Sequence, residues 1–234
     1  MTTSGNALTR WTRLLGVFCV VFCAAALALP ARAEPAGKVL TADGDVLVLR
    51  GSQILRLSRG AAVESGDQIH TGTDGKVLIV FTDSGLVWIR ANSDFVVDEY
   101  SYAQGGRETA FFSLLKGGAR SVTGLIGRRT RSNFRLRVPV ATIGIRGTHV
   151  VGEADETSAK VILLEPEDDP RRSTAVEVSN QFGSVLIDQP GFGTEIPDQF
   201  SPPSPVRRMQ VRQVEDLLRA IRSSGMRMQP PRPR

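Results

Sequence analysis

Cysteine is nearly absent from this chain of 234 residues: it has two, Cys19 and Cys23, both within the first 33 positions. Past residue 33 no thiol can form a disulfide, attack a substrate or ligate a soft metal. Histidine is almost as scarce. His70 and His149 have no neighbour at a metal-ligand spacing, so they make a poor metal site. Neither a Gly-x-Ser-x-Gly elbow nor a Gly-x-x-x-x-Gly-Lys-Ser/Thr phosphate loop occurs. Carboxylate pairs such as Asp43 and Asp45 sit in turns, where Asp belongs for backbone reasons. Glu165, Glu167, Asp168 and Asp169 crowd together, but the run is held open by Pro166 and Pro170 and lacks the glycine of a Ca²⁺ loop. It reads as a solvated loop. The chain is expected to be non-enzymatic, with no catalytic residue, cofactor or metal.

The start of the chain carries export chemistry. Arg10 and Arg13 precede an apolar run from Leu14 to Leu29, then Pro30 and Ala31-Arg32-Ala33. A basic n-region, an apolar h-region and a small-x-small site make a secretory signal peptide over residues 1–33, cut after Ala33. The run is about 16 residues, short for a membrane-spanning anchor, which is the rival reading. Phe18 and Phe22 stand before the two cysteines, where a lipoprotein needs a small residue. The product is expected in the periplasm or outside the cell. It must hold together by core packing, and a chain of this length can supply that core.

Charge is unevenly placed. The whole chain is +5, yet residues 34–205 hold 18 basic and 22 acidic residues, or −4. Residues 206–234 hold eight Arg against Glu215 and Asp216, or +6. The high isoelectric point belongs to the tail and the signal, so nucleic-acid binding by the domain is not expected.

From Lys38 to Tyr102, short apolar runs rich in Val, Leu and Ile alternate with Gly, Asp and Ser clusters. Val46–Leu49, Ile54–Leu57, Gln68–Thr71, Val77–Phe81, Leu86–Arg90 and Phe95–Asp98 all read as strands. The result is an all-β domain over residues 34–190. Short, similar units suit a β-solenoid or roll, and a sandwich would look much the same. Phe111–Leu115, a turn at Lys116-Gly117-Gly118 and a strand to Val122 follow. Asn133–Val138 alternates strictly, with Phe134, Leu136 and Val138 inward and Arg135 and Arg137 outward. Val138–Thr148 reads as a strand covered on both faces. Lys160–Leu164 is another strand, and residues 176–187 resemble a hairpin.

Arginine supplies the candidate interaction sites. Arg128, Arg129, Arg131, Arg135 and Arg137, with Arg120 nearby, could form one basic patch for an anionic polymer or acidic partner. The alternative is a solvated edge strand, where cations discourage edge pairing. Arg146 ends the apolar run and either caps acceptors inside the fold or faces out towards an anion. Residues 191–205 are rich in Pro, Gly and Ser and read as a linker. A basic amphipathic helix is expected over 206–225. Val206, Met209, Val214, Leu217, Leu218 and Ile221 lie on one side and Arg207, Arg212, Arg219 and Arg222 on the other. It either makes a peripheral contact with an anionic membrane or a partner, or packs on its own domain. Residues 226–234 are expected to be disordered.

One ordered set of motifs runs from residue 38 to residue 150. It opens with Gly44-Asp45-Val46, Leu57-Ser58-Arg59-Gly60 and Val63-x-x-Gly66-Asp67-x-Ile69-x-Thr71-Gly72. Asp74-Gly75-x-Val77, Phe81-x-Asp83 and Asn92-Ser93 follow, and it closes with Val138-Pro139-x-Ala141-Thr142-Ile143-Gly144-Ile145-Arg146-Gly147-Thr148. In this order they resemble the FecR-type domain family, except that Asp83-Ser84-Gly85 stands where that family usually has Asp-Gly-Ser. The resemblance implies an all-β, solenoid-like periplasmic domain with no catalytic residues. In the regulators that name the family, such a domain relays an iron-uptake signal from an outer-membrane receptor to a cytoplasmic sigma factor. No anti-sigma region and no spanning helix after the signal are expected in this chain, so that relay is not carried over. Two functions remain. One is an exported, non-catalytic binding or protein-interaction module. It would contact an envelope protein or a cell-wall polymer through strand edges, the basic stretch or the tail. The other is the periplasmic component of a signalling system that works through a separate membrane protein.

Overall fold

In the computed structural model, residues 34–103, 106–146, 149–165 and 174–209 are described. They form seventeen strands in chain order: β1 (Gly37–Asp43), β2 (Val46–Arg50), β3 (Gln53–Arg56), β4 (Ala62–Val63), β5 (Gln68–Thr71), β6 (Lys76–Phe81), β7 (Leu86–Ile89), β8 (Ser93–Ser101), β9 (Thr109–Val122), β10 (Phe134–Val138), β11 (Ala141–Arg146), β12 (His149–Ala154), β13 (Ala159–Leu164), β14 (Ala175–Asn180), β15 (Gly183–Ile187), β16 (Phe192–Ile196) and β17 (Arg207–Arg208). A five-residue helix, Leu125–Arg129, and a 3-10 turn, Arg131–Asn133, join β9 to β10.

The strands lie in two open sheets. Sheet I runs β4–β1–β6–β7–β9–β12–β13–β16–β17. Sheet II runs β3–β2–β5–β8–β9–β10–β11–β14–β15. One strand, β9, is central to both. Its first half pairs with β8 and β10, and its second half with β7 and β12. Alternation decides what lies between the sheets. Ile79, Val87, Val150 and Leu163 point inward from sheet I, and Val48, Ile69, Phe95, Leu136 and Val178 from sheet II, into one continuous core. Phe112 sits at its middle, within about 6 Å, centroid to centroid, of Phe81, Phe95 and Phe134.

The all-β expectation holds. The stacked solenoid is not confirmed, because its rungs would pair in parallel. Here β10 on β9 is the parallel pair among the described residues, and the other pairings are antiparallel. Hairpins alternate between the sheets instead: β10–β11 in II, β12–β13 in I, β14–β15 in II.

Four local expectations are corrected. Lys116-Gly117-Gly118 is no turn; it is the bend inside the 14-residue strand β9. Val138–Thr148 is not one strand. Pro139 and Val140 form the two-residue turn of the β10–β11 hairpin, since Pro139 has no N–H to give a ladder. In β11 only one face is fully buried, with Ala141, Ile143 and Ile145 inward and Thr142 and Gly144 half-exposed. The expected linker contains β16, whose Ala159–Ile162 partners lie in β13. The expected helix cannot begin at Val206, because Arg207 and Arg208 pair with Phe192 and Gly193. Residues 210–234 and the signal at 1–33 lie outside the described residues.

The bend has a steric condition. Gly117 adopts φ +90°, and a Cβ there would meet Ser93 Oγ at 2.2 Å and Ser93 Cα at 2.5 Å. Gly117→Ala therefore combines left-handed strain with a backbone collision. It should destabilise the domain by about 2–4 kcal/mol, read as a fall in urea midpoint. An unchanged midpoint would show that the bend does not need glycine.

Candidate interaction surface

Three polar groups within the motif region brace the fold. Arg50 forks onto Asp67, with Nε and Nη2 donating to its two oxygens at 2.7 Å. It also donates to Glu64 at 2.7 Å and to the Ala62 carbonyl at 2.9 Å. Asp67 is fully buried and also accepts from the Glu64 N–H at 2.8 Å. This planar, bidentate arrangement is what arginine does best, and it ties the turn after β4 to β2. The carboxylate and its neighbours raise the Arg50 pKa further.

Asp83 organises the second brace. Its carboxylate accepts from the Gly85 and Ile126 N–H groups and from the Tyr100 hydroxyl, at 3.0–3.2 Å. The β6–β7 turn, β8 and the short helix thereby meet at one buried group. Burial pushes the Tyr100 phenol well above its ordinary value. Ser93 is the third brace. Its N–H donates to Thr71 Oγ1, and its hydroxyl accepts from the Gly118 N–H at 3.0 Å, at the β9 bend. Thr71 in turn donates to the Arg90 carbonyl at 2.6 Å.

On the outer face of sheet II, antiparallel register lines side chains up in rows. One row reads Leu47, His70, Asp94, Lys116. Asp94 accepts from His70 at 2.5 Å and pairs with Lys116 at 3.1 Å. Partial burial works to raise its pKa, but the hydrogen bonds with His70 and Lys116 outweigh burial and hold the carboxyl below its usual value. The next row runs Gln68, Val96, Ser113, Arg137, Thr142, Ser179, Ser184. A third runs Glu99, Phe111, Arg135, Gly144, Glu177, Leu186.

This register brings together two of the expected arginines. Arg135 and Arg137 are both exposed and point outward from β10, as their alternation required. The Arg135 guanidinium lies 5.1 Å from the centre of the Phe111 ring, which holds it flat on the sheet. Arg128 and Arg129 are exposed at the end of the short helix, and Arg129 pairs with Glu108 at 2.8 Å. The patch is therefore narrower than the run of arginines suggested. Arg120 leaves it altogether: it is buried on the other sheet. For Arg146 only the backbone is described, opposite Ala175. The Arg131 and Arg146 side chains, and all of Arg212, Arg219 and Arg222, lie outside the described residues. Arg207 falls on β17 and pairs with Glu195.

Sequence reasoning missed one surface. Sheet II ends on β3, whose four residues are all exposed, with Ile54 at 71% and Leu55 at 41%. The signal was there, as Ile54-Leu55 sits between the polar Gln53 and Arg56. A cleft of about 550 Å³ on sheet I is lined by Arg90, Glu153, Asp155, Lys160 and Glu195. Its charges satisfy each other, with Arg90–Glu153 at 3.3 Å and Lys160–Glu195 at 3.1 Å. Among the described residues no group of three His, Asp or Glu could hold a metal, and no helix is long and apolar enough to cross a membrane.

Residues 67–166 match the family model described as FecR protein. The match opens at the buried Asp67 and runs on through β13, so it lies further along the chain than the motifs at residues 38–150 suggested. No curated protein gives a match. Two crystal structures of a provisionally assigned anti-sigma factor from Parabacteroides distasonis, at 1.65 and 2.50 Å resolution, resemble this chain at 13% identity with TM-scores of 0.48 and 0.47. Each likeness covers 64% of this chain and 64% or 63% of the other, under two thirds of their length.

The Asp83 brace also leaves little room beside Gly85 in the swapped turn, where a Cβ would meet Asp83 Oδ1 at 2.9 Å. Ser84 adopts φ +67°, the left-handed position where the family usually has glycine. That conformation costs an L-residue about 1–2 kcal/mol, part of which glycine returns as unfolded-chain entropy. Ser84→Gly should raise the melting temperature by about 1–2 °C; a fall would show that the serine is adapted to its turn.

Proposed function

Because the chain carries a FecR-type domain at residues 67–166, we propose that it is an exported, non-catalytic interaction module of the periplasm. Its partner is an anionic envelope component, a protein or a cell-wall polymer. The observation that carries this reading is the exposed pair Arg135 and Arg137, aligned on the outer face of sheet II beside the hydroxyls of Thr142 and Ser179. A strand face with two exposed guanidinium groups, one held over the Phe111 ring, and neighbouring hydroxyls can bind carboxylates or sulfates on an extended partner. Export rests on the order of charges and apolar residues in 1–33.

The family match supports a second reading, a role in a signalling system that passes its message to a separate membrane protein. The two readings share the same surface and differ in the partner. Capture of envelope material by the chain from Glu34 onward tests both. Arg135→Ala with Arg137→Ala should reduce capture at least about tenfold. Stability should stay within about 0.5 kcal/mol, because both side chains are exposed. Raising the salt concentration should weaken wild-type capture in the same way. Capture that resists salt and both substitutions would move the interaction to the apolar edge at Ile54 and Leu55.

A further inference from the structure

Sheet I has a second apolar face, turned away from the core. Two register rows define it. Leu78, Trp88, Arg120, Val151 and Ile162 form one. Val80, Leu86, Val122, His149 and Leu164 form the other. A sheet face open to water would alternate to polar residues here, as sheet II does. Instead Leu78, Val122, Val151, Ile162 and Leu164 are each at most 8% exposed. Val151, Ile162 and Leu164 form a cluster of their own with Met209, separate from the main core. Met209 lies over Gly193, where a Cβ would meet its Cε at 2.9 Å. The chain thus leaves β17 by stepping onto this face.

We propose that the outer face of sheet I is the docking site of the chain's own C-terminal segment, Val211–Ile221. Val211, Val214, Leu217, Leu218 and Ile221 repeat at the spacing of one helical face and follow directly from Met209. Eleven helical residues span about 16 Å. Four strands at about 4.8 Å separation span about 14 Å, so one such segment covers β13, β12, β9 and β7. The charges agree. The polar members of the two rows are Arg120 and His149, and the segment carries Glu215 at the edge of its apolar stripe. Arg120 lies 5.1 Å from the centre of the Trp88 ring, which sets its guanidinium on the face. Arg212, Asp216 and Arg219 would then face outward, on the solvent side of sheet I.

Trp88 reports on this directly. In the chain from Glu34 onward it is the sole tryptophan, since Trp11 leaves with the signal. Leu217→Asp with Leu218→Asp, in the full exported chain, should shift Trp88 emission to the red and raise acrylamide quenching at least about twofold. Arg219→Asp, on the opposite side, should change neither. Unchanged emission and quenching in the double variant would overturn the proposal. A photo-reactive residue at Arg222, at the edge of the apolar stripe, gives a second readout that needs no loss of packing. Adducts to peptides of β9, β12 or β13 in the same molecule support the proposal. Adducts to a second copy, or to vesicles of anionic lipid, in place of these would assign the face to another occupant.

Discussion

Both sheets hang on one strand. Fourteen residues of β9 supply ladder partners to β8 and β10 at one end and to β7 and β12 at the other. A straight strand cannot lie in two facing sheets, so β9 must bend, and it does so at Gly117-Gly118. Ser93 holds that bend by taking the Gly118 N–H into its own hydroxyl. Everything before β9 builds one half of each sheet and everything after it builds the other. Phe112, on the same strand, fills the space where the halves meet.

The family motifs sit at the joints of this arrangement. Gly66-Asp67 marks the buried carboxylate that Arg50 clamps. Phe81-x-Asp83 marks the brace that joins a turn, Tyr100 and a helix start. Asn92-Ser93 marks the β9 bend. Each polar group is there because a buried turn leaves backbone donors that need acceptors. The outward faces of the two sheets differ. Sheet II presents arginines, hydroxyls and paired charges; sheet I presents an apolar surface.

Much of the strand pattern was legible. Runs such as Gln68–Thr71, Phe134–Val138 and Val176–Ile187 alternate cleanly and fold as read. The outward aim of Arg135 and Arg137 followed from that alternation alone. Elsewhere tertiary pairing overrode local signals. A Gly-Gly pair normally marks a turn, but here it lets one strand change sheets. Val138-Pro139-Val140-Ala141 is apolar on both phases, which hid the hairpin at its centre. Residues 191–205 look like a linker by composition, yet Phe192, Thr194 and Ile196 alternate well enough to add a strand. The second apolar face had a signal in the unbroken runs Val77–Phe81 and Val161–Leu164, since a strand apolar on both sides is covered on both sides. What separates Arg120 from the other arginines is its place on the far half of β9, which no spacing reveals.

The outer face of sheet II is the surface proposed to meet the partner. The most direct measurement is in-cell photo-crosslinking from Ser179, which lies in the Arg137 row two strands away. Val80, on the outer face of sheet I, serves as the comparison position. Adducts to one envelope component from Ser179, and none to it from Val80, are the predicted result. Adducts to that component from Val80 alone would contradict the account and make sheet I the working surface.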